Sequence, residues 1–330
     1  MPISFRGWVN ETRSDIADGR PLKYTFLKAG LKAYNGISHT VTSRYPIGTN
    51  IFEREWDALL VLDACRVDAL REVSDEYRYL SDVGSLLSVG SSSHEWTAKT
   101  FTQKYLEQIS ETAYVSANPF SERSFIFGER PPYSETIPFG WPKWNMASAD
   151  DFAHMDFVTR YGNDYQYNVA DANYVTDRAI TTVRELSPKK LIVHYFQPHE
   201  PYLARALKEG RELTQLEREP FEAFARGEAS RDLLWELYLE NLRHVLDSID
   251  LLLTNLDLET VVLTADHGEL FGEMGAYGHP EGFPHPDLKY VPWAETTATD
   301  SGEYYPNIDL TKQRNSDTPN KKLLRDLGYI

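Results

Sequence analysis

Val261-Val262-Leu263-Thr264-Ala265-Asp266-His267-Gly268-Glu269 is the stretch that decides how this chain is read. A short run without polar alternation reads as a strand buried on both faces, the mark of a parallel sheet. It stops at an aspartate, a histidine and a glycine, and a buried run that ends in two adjacent ligand-type side chains does more than turn the chain. The same grammar recurs upstream. Ala58-Leu59-Leu60-Val61-Leu62 stops at Asp63, and Leu191-Ile192-Val193-His194-Tyr195-Phe196 stops at Gln197-Pro198-His199. Shorter strand candidates lie at 85–89 and 112–116, and Tyr290-Val291-Pro292-Trp293 reads as an edge strand, where proline is tolerated. Helical patterns separate the strands. They cover 66–73, a segment from the serines at 91–93 to about Ile109, 169–186, and 231–253, where Leu234, Tyr238, Leu242, Val245, Ile249 and Leu252 form one stripe. Alternating strands and helices predict an α/β fold with a mostly parallel sheet. In such sheets ligands sit outside the carboxyl ends of the strands.

The chain has 330 residues, 41% hydrophobic and 25% charged, which suits one large domain or two modest ones. Fifty acidic against thirty-four basic side chains leave a formal charge of −16. That excludes a non-specific nucleic-acid binder and, by the same count, a polybasic membrane patch. Cys65 is the single cysteine, so no intrachain disulfide forms. The first eighteen residues lack the apolar core of a signal peptide, and no run of about 18 apolar residues predicts a membrane span. The expectation is a cytoplasmic protein without membrane insertion. Residues 1–50 read as an N-terminal extension with one short helix near Tyr24–Tyr34, and 51–300 as the catalytic domain. Pocket-lining insertions are expected at 119–160, which opens with a Pro- and aromatic-rich loop over 119–145, and at 204–230. Residues 301–330 read as a tail with a terminal helix at Lys321–Leu327.

The chemistry gathers at strand ends. Asp63, Gln197, His199, Asp266 and His267 follow three different apolar runs, and carboxylates with imidazoles at one sheet edge are what a divalent metal requires. Gly90-Ser91-Ser92-Ser93 precedes a helix, whose first backbone N–H groups can hold an anion. Glu95, three residues after Ser92, fits a capping box. A metal, an activated hydroxyl and an anion cradle together suit attack on a phosphate or sulfate ester.

These residues carry a resemblance. Val262–Glu269 resembles the C-terminal metal motif of the alkaline phosphatase superfamily, in its sulfatase-like branch. Leu62-Asp63-Ala64-Cys65-Arg66-Val67-Asp68 resembles that branch's first motif, and Gln197-Pro198-His199-Glu200-Pro201-Tyr202 its Asp-Pro-His-x-Pro-Tyr segment. Gly278-His279-Pro280 falls where the family places a substrate-contacting Lys or His. The four motifs stand in family order across residues 56–295. The resemblance implies a three-layer α/β/α sandwich and hydrolysis or transfer of a phosphate or sulfate ester by a hydroxyl or formylglycine nucleophile. It implies that Asp63, Asp266 and His267 hold the metal and that Arg66 supports those ligands or the anion. It also implies that His199 and His279 face the substrate, where either can protonate the leaving oxygen, or complete a second metal site.

Departures from the family pattern narrow the reading. Ala64 stands where sulfatases carry a second Asp, and the formylglycine motif Cys-x-Pro-Ser-Arg is absent. Cys65 reads as a small buried residue. Ser93 and then Ser92 are the expected nucleophiles, with Thr97 a turn inside the helix. Gln197 replaces a frequent Asp, which favours one firmly held ion (Zn, Mn, Ca or Mg). The expected activity is a metal-dependent phosphoester hydrolase or transferase acting on a small anionic ester, such as a phosphorylated or sulfated metabolite, glycan or lipid headgroup. Its rivals are a sulfatase working without formylglycine and a degenerate binder of anionic glycans or lipid headgroups. A phosphoglycerate mutase-like reading would need a second metal cluster, for which Asp150 and His154 are the candidates. Oligomeric state is silent in the sequence.

Overall fold

Residue registers between neighbouring strands explain why the quoted motifs meet. In the computed structural model, which describes residues 3–19, 22–132, 137–161, 169–308 and 310, the central strand is β1 (Ala58–Asp63), buried at every position. In chain order the others are β2 (Gly84–Leu87), β3 (Thr112–Ser116), β4 (His154–Phe157), β5 (Lys190–Pro198), β6 (Leu258–Thr264), β7 (Leu270–Phe271), β8 (Tyr277–Gly278) and β9 (Tyr290–Ala298). Seven of them form one sheet in the order β2-β9-β6-β1-β5-β3-β4, and β7 with β8 makes a separate hairpin. β1 runs parallel to both neighbours, with Leu60 opposite Val193 of β5 and Leu263 of β6. Continued past the strand ends, that register sets Asp63 beside Asp266. A shift after Leu62 brings Asp63 level with Pro198, one residue before His199.

Side chains alternate across the sheet, so each strand feeds two cores. Leu60, Leu62 and Val193 point to one face, where helices Ala172–Leu186 and Arg231–Leu253 cover them. Leu59, Val61, Ile192 and Val262 point to the other, with Phe52, Trp96, Phe101 and Tyr114. The result is the three-layer α/β/α sandwich with a mostly parallel sheet that the sequence predicted.

Several elements differ from expectation. β9 lies inside the sheet, between β2 and β6, and β2 takes the edge. Pro292 is accommodated because pairing with β6 ends at Thr264 and Trp293, so Pro292 falls one residue beyond that ladder, opposite Ser85 of β2. The helix at 93 stops at Thr100, where Phe101 leaves helical geometry (φ −90°, ψ 74°) to bury its ring beside Trp96 and Tyr114. A separate helix, Leu106–Ser110, follows. The N-terminal segment holds two helices, Phe5–Ala17 and Leu22–Thr42, in place of one short one. The 119–145 loop opens with a helix, Pro119–Phe125, and β4 comes from the 119–160 insertion. Three short helices, Ala204–Glu209, Gln215–Arg218 and Pro220–Ala225, make up most of the 204–230 segment. The terminal helix read at Lys321–Leu327 lies outside the described residues, as does most of the tail. No helix among the described residues is long and apolar enough to cross a membrane.

Candidate active site

Asp63 ends β1, and Asp266 and His267 follow β6 by two and three residues. Each is nearly or fully buried. His267 Nε2 lies 3.5 Å from Asp63 Oδ1 and 3.4 Å from Asp266 Oδ2. The ring's other nitrogen, Nδ1, is 2.7 Å from the carbonyl of Gly268. A carbonyl only accepts, so Nδ1 carries a hydrogen and Nε2 is the ring nitrogen turned toward both carboxylates. Asp266 Oδ1 accepts from the backbone N–H groups of Ala64 and His267 (3.2 and 2.9 Å). Its Oδ2 has no hydrogen-bond partner among the described residues. Burial first, and the charge of Asp266 second, hold the Asp63 carboxyl well above the usual carboxylate range. For Asp266 burial acts in the same direction, but the neighbouring His267, His194 and Ser93 outweigh it and leave the group below its ordinary value. Three electron-pair donors thus converge where two carboxylates cannot both ionise without positive charge. The set fits a divalent cation, and its ligand atoms all lie within 4.8 Å of one another.

The serines divide their work according to where the helix starts. Ser92 is the N-cap of helix Ser93–Thr100, with extended backbone (φ −150°, ψ 158°), and its hydroxyl accepts from Glu95 N at 3.3 Å. Ser93 is the first helical residue, and its Oγ points into the cluster, 3.3 Å from Asp63 Oδ1 and 3.1 Å from His267 Nε2. The capping box is only half made, because the Glu95 carboxylate accepts from the N–H and hydroxyl of Ser91 (both 2.8 Å) and from Lys99. Thr97 is buried one turn further in. Cys65 is fully buried, and burial pushes its thiol far above the usual range.

Arg66 turns away from the carboxylate pair. Its guanidinium binds Asp68 (2.9 and 2.7 Å), Glu273 (3.0 Å) and the carbonyl of Glu269 (3.1 Å), and packs 5.2 Å over Trp235. It therefore braces the loop after the Asp-His-Gly motif. Gln197 donates to the Ala170 carbonyl at 2.9 Å. The β7–β8 hairpin delivers His279, whose Nε2 lies 2.8 Å from His199 Nε2 and whose ring centroid is 4.4 Å from that of His267. His199 is buried, its Nδ1 bound to the Glu200 carbonyl at 2.6 Å. Burial, ahead of any charge, lowers His199 to about 4. Two facing imidazole nitrogens share one hydrogen or offer two lone pairs. With Glu269, which is buried with one carboxylate oxygen unpartnered, they form a second group able to hold a metal. Asp150 and His154 take no part. They stand at and just before the start of β4, which runs parallel to β3 with His154 opposite Ala113, so they lie at the far edge of the sheet.

The chain matches no protein-family model and no curated protein. Among solved structures it is similar to the soluble domain of lipooligosaccharide phosphoethanolamine transferase A from Neisseria meningitidis, at 14% identity over 72% of this chain and 75% of that one, TM-score 0.45. It is similar to the C-terminal periplasmic domain of phosphoethanolamine transferase EptC from Campylobacter jejuni, at 14% identity over 72% and 77%, TM-score 0.43. It is also similar to the C-terminal periplasmic domain of EcEptC from Escherichia coli in complex with Zn, at 13% identity over 76% and 75%, TM-score 0.42. Likeness at this level leaves the residue roles to the geometry. The cytoplasmic expectation does not stand. Two of these neighbours are periplasmic domains, and the single cysteine and polar start on which the expectation rested suit either compartment.

Sequence reasoning missed Asn118. It follows β3, caps helix Pro119–Phe125, and its side-chain amide donates to Asp63 Oδ2. The strand-end rule that found Asp63 would have found Asn118 had the apolar run at 112–116 been followed two residues further. Glu269 stood inside the quoted motif but was given no role.

Proposed function

We propose that this protein is a metal-dependent phosphoester hydrolase or transferase with Ser93 as its nucleophile. One observation carries the reading, namely the Ser93 hydroxyl at a helix N-terminus, 3.1 Å from His267 Nε2 and 3.3 Å from Asp63 Oδ1. Asp63, Asp266 and His267 would hold the divalent ion, of which zinc suits the two-carboxylate, one-imidazole set. When bound, such an ion lowers the pKa of a neighbouring hydroxyl and offsets charge on the ester oxygens. The chain's own groups do the rest. Ser93 gives up its proton to solvent and bonds to phosphorus, in line with the departing oxygen. The first N–H groups of helix Ser93–Thr100 orient the phosphoryl oxygens. Asn118 holds the Asp63 carboxylate in place. His199 or His279 gives a proton to the leaving oxygen as its bond to phosphorus breaks. Water or an acceptor hydroxyl then displaces Ser93. Arg66 braces the loop that carries Glu269. His199, Glu269 and His279 would alternatively hold a second ion, as their shared geometry supports.

The test separates nucleophile from metal. Ser93→Ala should lose at least about 10³-fold in kcat on an aryl phosphate while keeping its metal. Asp266→Ala should lose the metal, read by elemental analysis of purified protein. Full activity in Ser93→Ala, or unchanged metal content in Asp266→Ala, would overturn the corresponding assignment. Aryl sulfate assayed beside aryl phosphate distinguishes a sulfatase.

A further inference from the structure

The helix Leu22–Thr42 is inside out. Its buried side carries Thr25, Lys32, Asn35, His39 and Thr42. Its exposed side carries Leu22 (57% exposed), Phe26 (62%), Tyr34 (40%), Ile37 (54%) and Val41 (49%). At about 100° per residue these five fall on one arc, a continuous apolar stripe facing outward. A helix folded against its own body normally buries that stripe and exposes the polar one. The inversion is firmly held. Lys28 and Lys32 pair with Glu11 and Asp15 of helix Phe5–Ala17, so the seam between the two helices is ionic. The C-terminal half of the helix is fixed by the loop at 139–143, where Trp141 N donates to Thr40 Oγ1 (2.7 Å) and Arg44 donates to the Trp141 carbonyl (2.7 Å). That loop adds its own exposed rings, Phe139 and Trp141 (72% exposed).

The whole-chain charge conceals a second asymmetry. Residues 1–50 hold seven Lys or Arg against three Asp or Glu, a formal +4, while the other 280 residues hold 27 against 47, a formal −20. Exposed Arg6, Arg13, Lys23, Arg44 and Lys143 accompany the apolar stripe. An apolar helical face with aromatic rings at its end and basic side chains around it is the composition of an element that lies in a membrane–water interface.

We propose that helices Phe5–Ala17 and Leu22–Thr42, with the Phe139–Trp141 turn, dock this protein on an anionic lipid surface. The stripe enters the headgroup boundary and the basic side chains meet lipid phosphates. The acidic body is repelled by the same surface, which orients the molecule with this face toward the bilayer. A second copy is disfavoured as the occupant, because joining two such faces would bring two +4 segments together. The proposal is independent of the ester chemistry, so vesicle binding and catalysis succeed or fail separately.

Flotation of the full chain with vesicles tests it, comparing phosphatidylcholine alone with phosphatidylcholine containing phosphatidylglycerol. Binding should favour the anionic vesicles and fall as salt rises. Phe26→Glu/Ile37→Glu should weaken it at least about tenfold, the worth of burying one large apolar side chain. Both positions are exposed, and an unchanged thermal midpoint would show that the variant is folded. No binding to anionic vesicles, or equal binding by the double variant, would overturn the proposal. So would sedimentation showing a dimer that the double variant converts to monomer, since a second copy would then own the face.

Discussion

Asp287 passes its carbonyl so close to Gly268 that a Cβ added there would lie 1.9 Å from the oxygen, while the Gly268 N–H donates to the Leu288 carbonyl at 2.9 Å. The glycine after His267 is therefore required by backbone contact, and the contact holds the turn that aims the imidazole. Gly268→Ala should cost about 1–3 kcal/mol of stability by overpacking. It should also weaken metal binding at least about tenfold by moving His267, as loss of a ligand's support does. Chemical denaturation and metal titration would read the two effects. A variant with native stability and native metal affinity would show that the loop carrying Asp287 yields freely. At this scale the sequence displayed the chemistry but not its partition. Asp63, Asp266 and His267 were legible because each follows a buried run. The sequence put Ser93 ahead of Ser92 but kept both as candidates, because one residue's shift in the helix start exchanges the capping hydroxyl with the one that faces the cluster.

The element hardest to read was β4. His154-Met155-Asp156-Phe157 is half polar, and its polar–apolar alternation runs for only four residues, too few to mark a strand. It is secured by helix Ala172–Leu186, whose Arg178 binds Asp156, both side chains at most 2% exposed, with the guanidinium 3.9 Å over the Tyr161 ring. Removing one partner of a buried pair strands the other charge. Arg178→Met should therefore cost about 3–5 kcal/mol, while Asp156→Leu/Arg178→Met should recover most of that. Urea denaturation of the two variants decides it, and an equal loss in both would mean that packing, not the charge, holds β4. The long helices were legible from their stripes. The helix at 93 was drawn too long because nothing local marks Phe101 as a break. Its ring leaves the helix for an aromatic cluster that residues distant in sequence assemble.

The whole molecule separates its charge. The acidic body should repel a soluble anionic ester, so kcat/KM on an aryl phosphate should rise as added salt shortens the screening length to about 10 Å near 0.1 M. Vesicle binding through the N-terminal face should move the opposite way over the same range. A fall of kcat/KM with salt would mean that local attraction at the site dominates capture. Counting charges over the full chain had excluded a basic membrane patch. A sum carries no position, and only the folded N-terminal helices show that the basic residues share a surface with an outward apolar stripe.

Sequence alone determined the α/β class, the parallel core strands and three residues of the strand-end cluster proposed to hold a metal, because burial and strand length are local properties written in short runs. Tertiary structure decided the rest. It set Asp63 beside Asp266 through strand register, turned the Ser93 hydroxyl toward them while Ser92 caps the helix, and brought Asn118, Glu269 and His279 to the same edge from three separate loops. It also turned the N-terminal helix inside out. Each of these depends on which distant surface a residue meets, and a residue's neighbours in the chain carry no record of that.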